Sequence, residues 1–271
     1  MASDASLSSG ARPPVALTIA GSDPSGGAGI QADLKTFHQF GVYGTAVLTA
    51  LTVQNTRGVR AVHAVAPEFV VAQLDAVTDD LPIAAAKIGL VPTPAVAAAL
   101  ATRLERAALP NLVLDPVLVA GSGDALGAEG TAAALRALLP HAALVTPNLA
   151  EAAALTGRAV HDVDDMTSAG RALVELGSAA ALVKGGHLPG PPIDVLVTGE
   201  AVHRLQGERI PLSRTHGTGC TLSAAIVAGL ASGLGLRAAV ERAARYVRAA
   251  LAAAPALGGG ARPLDHRVLA V

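Results

Sequence analysis

Short β-rich apolar runs alternate with stretches of helical period along the whole 271-residue chain. That alternation is the pattern of parallel βαβ units and predicts an α/β fold. The apolar runs predict strands over 15–20, 46–53, 84–89, 111–115, 143–146, 180–183 and 194–198, with helices near 26–40, 67–79, 93–107, 128–139, 148–156 and 165–177 between them. Residues 201–210 set Val202, Arg204 and Gln206 against His203, Leu205 and Gly207, the alternation of an antiparallel edge strand beside 194–198. Two amphipathic packing helices then follow with no strand between them. The first carries Leu222, Ile226, Leu230 and Leu234; the second sets Val240, Ala244, Val247 and Leu251 opposite Arg237, Glu241, Arg245 and Arg248.

At 51% hydrophobic and 15% charged, the chain can bury a large core, and one domain over 15–271 is expected after a flexible tail over 1–14. A net charge of −1 supplies no basic field for nucleic acid, and no basic amphipathic stripe suggests a membrane surface. The expected partner is therefore a small molecule. The tail lacks the apolar core of a signal peptide, and no later apolar run reaches a membrane span without Gly, Pro or charge. A single cysteine, Cys220, excludes an intrachain disulfide and fits a reducing compartment, so a cytoplasmic location is expected. Seventeen arginines accompany only three lysines, Lys35, Lys87 and Lys184, which singles out each lysine that survives where arginine would serve. Lys35 is read as a solvated helix residue.

In open parallel sheets ligands bind beyond the carboxyl ends of the strands, so the residues closing each strand carry the candidate chemistry. The first strand ends in Gly21-Ser22-Asp23-Pro24-Ser25-Gly26-Gly27-Ala28-Gly29, whose glycines let backbone approach a ligand and aim N–H groups at it. Gly27-Ala28-Gly29-Ile30-Gln31-Ala32 has the form of a dinucleotide fingerprint, but Val53-Gln54-Asn55 stands where that fingerprint requires an acid. A nicotinamide dehydrogenase is thus a minor reading. Asp33 shares an apolar helical stripe with Ile30, Leu34 and Phe37, so it meets either an internal donor or a ligand; the ligand is the preferred reading. Gln54 could read a polar heterocycle through its amide or cap a turn with Asn55.

Asp115 closes one strand and Asn148-Leu149-Ala150-Glu151 follows another. Each acid alone fits a helix cap or first turn, whereas together beside a phosphate they become candidates to hold Mg²⁺ through water. Lys184 ends a strand ahead of Gly185-Gly186-His187 and is the lysine read as functional. The sharpest element is Thr215-His216-Gly217-Thr218-Gly219-Cys220 at a helix start, where free N–H groups and the helix dipole favour an anion. The same terminus is expected to lower the pKa of Cys220 and make it a base; the alternative is a glycine-rich start that serves only tight packing. His216 is read as a hinge or cap. No G-x-x-x-x-G-K-[ST] is present, so a nucleotide would have to be held by another kinase architecture.

Residues 16–35, Val53-Gln-Asn-Thr-Arg-Gly58, Lys87-Ile-Gly89, Thr146-Pro-Asn-Leu-Ala-Glu151, Lys184-Gly-Gly-His187 and Thr215-His-Gly-Thr-Gly-Cys220, in that order, closely resemble the hydroxymethylpyrimidine/phosphomethylpyrimidine kinases of thiamine biosynthesis. The resemblance covers about 15–260 and implies a ribokinase-like three-layer α/β/α fold with a mainly parallel sheet and an antiparallel edge. It implies ATP and Mg²⁺ as cofactors and two successive phosphorylations of 4-amino-5-hydroxymethyl-2-methylpyrimidine. By the same resemblance Gln54, Asp33, Gly21 and Leu90 meet the pyrimidine, Gly217, Thr218, Gly219 and Cys220 form the anion hole with Cys220 catalytic, Lys184 and Asn148 serve ATP, and Glu151 with Asp115 serves the metal. It further implies a homodimer and an adenine pocket near the helices over 218–251. Leu90 stands where the family usually has methionine, a branched side chain in place of an adaptable one. A related pyridoxal-phosphorylating branch ranks second because Val53-Gln54-Asn55 favours the pyrimidine branch, and a non-catalytic pyrimidine sensor is the reading of another class.

Overall fold

Val, Leu, Ile and Ala fill the central strands of the sheet so that these bury both faces, as parallel strands covered on two sides require. A computed structural model describes residues 12–270 apart from 120–122, 125, 187, 213 and 214. The tail expected over 1–14 lies outside the described residues up to residue 11, and His187 lies outside them as well. The strands are β1 Val15–Ser22, β2 Tyr43–Asn55, β3 Gly58–Ala64, β4 Ile83–Ile88, β5 Leu112–Leu114, β6 Leu144–Val145, β7 Ala180–Val183, β8 Ile193–Thr198 and β9 Val202–Gln206. They form one sheet in the order β3-β2-β1-β4-β5-β6-β7-β8-β9. Pairing is parallel from β2 through β7 and antiparallel for β2/β3, β7/β8 and β8/β9.

The helices are α1 Gly29–Gln39, α2 Pro67–Asp80, α3 Pro94–Arg106, α4 Thr131–Leu135, α5 Leu149–Thr156, α6 Val163–Glu175, α7 Thr218–Ala231 and α8 Leu236–Ala252. Leu17, Ile19, Ile88, Leu114, Val145 and Val183 point to one side, where Leu74, Leu100, Leu155 and Leu173 of α2, α3, α5 and α6 cover them. Ala16, Ala85, Val113, Leu144 and Leu182, one residue out of phase, face Phe37, Ile226 and Tyr246 of α1, α7 and α8. The three-layer α/β/α architecture follows from that period of two. No described helix is long and apolar enough to cross a membrane.

Four features depart from the expected elements. The strand expected over 46–53 runs on as β2 and turns at Thr56–Arg57 into β3, so the sheet has an antiparallel edge at both ends. β3 escaped the apolar pattern because Arg60, Ala61 and His63 are exposed on it. The helix expected over 128–139 shrinks to α4 and continues as a 3-10 turn, Arg136–His141, which contains Pro140; proline has no N–H for a longer helical ladder. α7 is buried all along from Thr221 to Gly229 rather than on one stripe, the pattern of a helix enclosed by its neighbours. A short parallel pair, β10 Thr215–His216 with β11 Arg262–Pro263, ties the segment before α7 to the C-terminal residues.

Candidate active site

Two glycine-rich loops meet at the carboxyl end of the sheet. Gly217, the N-cap of α7, has φ 86 and ψ 7, a left-handed conformation that favours glycine. A side chain there would also collide with the Gly27 carbonyl oxygen of the other loop. Asp23 organises that other loop. Its Oδ1 accepts from the Ser25 N–H (2.9 Å) and hydroxyl (2.7 Å), and its Oδ2 accepts from the Ala28 N–H (2.9 Å). The Nε2 of His216 lies 2.8 Å from the same Oδ2 and 3.2 Å from the Gln54 amide nitrogen. Burial pushes the Asp23 carboxyl up, but His216 and Ser25 outweigh it and hold the group at about 2. His216 therefore joins the two loops to each other, a larger part than the hinge or cap expected of it.

Beneath the loops the chain buries a full ion pair. Lys87 Nζ, at the end of β4, donates to Asp33 Oδ1 on α1 at 2.7 Å, and the Thr18 hydroxyl donates to Asp33 Oδ2 at 2.6 Å. Both side chains are 0% exposed. Burial opposes the Lys87 ammonium, yet Asp33, Cys220 and Asp115 together hold its pKa above the ordinary range. The direct ligand contact preferred for Asp33 on sequence grounds is corrected here. Both its oxygens have internal donors and it does not line the cleft, whereas Lys87 does.

A second pair stands open to the cleft. Lys184, after β7, donates to Asp115 Oδ1 at 3.1 Å, and Asp115 also accepts from Ser223 Oγ (2.9 Å) and Thr146 Oγ1 (3.2 Å). Burial pushes Asp115 up, but Lys184, Lys87 and Ser223 outweigh it and hold the carboxyl below its usual range. Asn148 and Glu151 form a complete capping box on α5: Glu151 N–H donates to Asn148 Oδ1 at 2.9 Å and Asn148 N–H to Glu151 Oε2 at 2.8 Å. Burial raises the Glu151 carboxyl, with Lys184 pulling the other way and Asp115 adding to the rise. Asp194 on β8 accepts from Gly185 N–H at 2.9 Å and fixes the loop just after Lys184.

α7 opens between these two pairs. Its first backbone bond runs from Thr221 N–H to Gly217 O at 2.9 Å, and no side chain caps the terminus. The N–H groups of Thr218, Gly219 and Cys220 have no partner within the helix and are left for an anion. The lowered thiol pKa expected for Cys220 is not what its surroundings give. Burial pushes the thiol up to about 11, and Asp33 and Asp115 add to that effect against the pull of Lys87. The helix terminus is present, but the acids gathered beside it leave little room for another negative charge until a ligand brings compensation.

These parts line one cleft of about 910 Å³. Gly21, Gln54, Leu90, Asp115, Asn148, Glu151, Lys184 and Gly217 to Cys220 all line it, which leaves Asp33 as the sole expected site residue outside its wall. Sequence reasoning quoted Lys87 and Asp23 but gave them no part in the site, and passed over Asp194 and Ser223. Lys87 was within reach, being one of three lysines, at a strand end and ahead of a glycine. Nothing local marks Ser223, which meets Asp115 across 108 residues of chain.

A three-layer α/β/α fold with a mainly parallel sheet, whose glycine-bounded helix start faces lysines and carboxylates, defines a small-molecule kinase of the ribokinase-like class. Residues 23–265 match the family model described as phosphomethylpyrimidine kinase, and the chain belongs to that family. It is 52% identical over 257 residues to the hydroxymethylpyrimidine/phosphomethylpyrimidine kinase of Rhizobium meliloti, covering 93% of this chain and 96% of that protein. Among solved structures it is similar to the Bacillus subtilis pyridoxal kinase in its ADP complex, with a TM-score of 0.86, 38% identity and coverage of 94% and 98%. It is also similar to the Clostridium difficile phosphomethylpyrimidine kinase, with a TM-score of 0.79, 41% identity and coverage of 88% and 99%.

Proposed function

We propose that this chain transfers the γ-phosphoryl group of ATP to the hydroxymethyl oxygen of 4-amino-5-hydroxymethyl-2-methylpyrimidine, and then a second phosphoryl group to the resulting monophosphate, for thiamine biosynthesis. The observation that carries the reading is the uncapped start of α7, set in one cleft between Gln54 and Leu90 on one side and Lys184, Asp115 and Glu151 on the other. ATP use accords with the ADP complex of the similar Bacillus subtilis enzyme.

In the first transfer the hydroxymethyl oxygen bonds to the γ-phosphorus, the bond from that phosphorus to the β,γ-bridging oxygen breaks, and ADP leaves. The transferring group carries its charge on its outer oxygens, where the N–H groups of Thr218, Gly219 and Cys220 and the Lys184 ammonium stabilise it. The hydroxyl proton passes to Cys220 Sγ, which must be ionised to take it. In the second transfer the acceptor is a phosphate oxygen already anionic at neutral pH, so no base is needed. Gln54 hydrogen-bonds the heterocycle and Leu90 packs on its ring.

No group of three or more His, Cys, Asp or Glu among the described residues could hold a metal ion. Asp115 and Glu151 beside Lys184 are the residues that would hold a Mg²⁺, through water rather than directly, because Mg²⁺ dehydrates reluctantly. When bound it would neutralise phosphate charge.

ATP turnover with the hydroxymethylpyrimidine present, absent or replaced by pyridoxal tests the reading. ADP release only with the pyrimidine, ending at two ADP per pyrimidine, is expected. Preferred turnover of pyridoxal, or tight pyrimidine binding with no ADP released, would overturn it.

A further inference from the structure

The C-terminal segment over 258–266 touches the 215–216 strand, the turn at Thr56, the Gly27 loop and the first turn of α7. Arg262 and Pro263 of β11 pair with Thr215 and His216 of β10, immediately before Gly217. Ala261 N–H donates to Thr56 O at 2.7 Å, in the turn two residues beyond Gln54. Any side chain at Gly260 would collide with that same Thr56 carbonyl, so glycine is what allows the two backbones to meet. A side chain at Gly27 would lie 3.3 Å from the Pro263 Cβ, which places the other glycine-rich loop against the same segment.

Its last contact reaches α7 itself. His266 is 8% exposed, and its Nε2 lies 3.0 Å from Thr221 Oγ1; Thr221 follows Cys220 directly. Thr221 Oγ1 is in turn 2.8 Å from Gly217 O, the carbonyl of the left-handed cap. Tyr246 of α8 holds the strap from behind, its hydroxyl donating to His266 O at 3.0 Å. Burial and Lys35 push the imidazole down to about 4, so at neutral pH it is an uncharged hydrogen-bonding group.

We propose that this strap is a positioning element for phosphoryl transfer, with His266 as a positioning residue that fixes the first turn of α7 through Thr221 and thereby aims the anion-hole N–H groups. The proposal rests on the kinase reading given above. It requires no contact between His266 and any substrate. An anion hole stabilises a transition state only when its donors are already aimed, so loosening this turn acts on kcat rather than on acceptor affinity.

The test uses the full chain. His266→Leu and Thr221→Val are each expected to lower kcat about tenfold for both phosphorylations, a fraction of the 10²-fold or more that follows loss of an oxyanion donor, while the KM for the pyrimidine changes less. The double variant is expected to be no slower than Thr221→Val alone, because His266 reaches the first turn of α7 only through Thr221. His266→Gln, whose amide offers both a donor and an acceptor, is expected to restore most of the rate. Independent, multiplying losses, an effect confined to KM, or no rescue by glutamine would overturn the assignment. Hydrogen exchange of the peptide spanning 215–223, expected to quicken in His266→Leu and Thr221→Val and to return in His266→Gln, decides the same point without turnover. If the wild-type chain phosphorylates no acceptor, the kinase reading fails, while unchanged exchange in the variants makes the strap proposal fail separately.

Discussion

The cleft is built over two lysine–aspartate pairs that use the same chemistry to different ends. Lys87 and Asp33 sit 2.7 Å apart with both side chains 0% exposed, whereas Lys184 and Asp115 sit 3.1 Å apart with Lys184 15% and Asp115 1% exposed. In the closed pair the Asp33 carboxylate is met by Lys87 and the Thr18 hydroxyl, and Lys87 Nζ also lies 3.5 Å from the Cys220 carbonyl oxygen. In the open pair Lys184 can turn toward an incoming phosphate while Asp115 keeps Ser223 and Thr146 as donors. A buried ion pair is weak support for stability but costly to break on one side only. The closed pair is accordingly read as scaffold beneath the anion hole, with only Lys87 reaching the cleft wall, and the open pair as the part whose partly exposed ammonium meets ligand.

The strongest test of that contrast breaks the closed pair. Lys87→Met strands the Asp33 carboxylate and is expected to cost about 3–5 kcal/mol of stability in chemical denaturation at neutral pH. Burial already pushes the Asp33 carboxyl up, and without Lys87 its folded pKa rises further above the unfolded value. A group with a raised folded pKa binds its proton more tightly in the folded state, so the deficit should shrink as pH falls toward 4. Adding Asp33→Leu should recover most of the loss, because two apolar residues leave no charge uncompensated. A deficit independent of pH and unrelieved by the second substitution would show that Lys87 matters through packing alone.

Lys184→Met sharpens the same contrast from the other side. It is expected to lower kcat about 10²- to 10³-fold, the scale of removing one preorganised charge from a transferring group, with a smaller loss of stability than Lys87→Met. Equal loss of stability in the two variants would erase the distinction between scaffold and ligand-facing pair. So would a Lys184→Met enzyme with normal turnover.

How much of this was legible in the sequence divides along the same line. The sheet, its helices and the edge formed by β8 and β9 follow from local period, because hydrophobic alternation is written in consecutive residues. Asp115, Glu151, Lys184 and the residues over 217–220 were legible because they close strands or open helices, positions that sequence marks with Gly, Pro, Asp or Lys, whereas Leu90 came from the family resemblance alone. Asp33 was seen as a carboxylate on an apolar stripe, but the choice between internal donor and ligand depended on Lys87, 54 residues away. β3 and the C-terminal strap were missed for the complementary reason. Both are short, partly exposed and shaped by backbone pairing to distant segments, and neither Gly258-Gly259-Gly260 nor Arg60 and His63 announces a partner. The Cys220 shift runs opposite to the expectation because a helix terminus is visible in sequence, whereas the burial of the thiol and the approach of Asp33 and Asp115 arise only through the fold.

That shift sets the last and smallest expected effect. With burial raising its pKa to about 11, only a small minority of Cys220 thiols is ionised at pH 7 in the free protein. A base that works only as thiolate then gives a first-phosphorylation rate that climbs with pH through 7 to 9, by up to about tenfold per unit. The second phosphorylation, whose acceptor arrives anionic, should lack that climb. Cys220→Ala should slow the first step about 10²-fold, abolish its pH slope and harm the second step less. Cys220→Ser should keep the geometry without supplying an ionisable group in this range, so it should resemble alanine in the first step and wild type in the second. Equal losses in both steps would instead assign Cys220 to the packing of the α7 terminus. The contrast between the two pairs would then stand without a base between them, and alignment at the anion hole would carry the whole of catalysis.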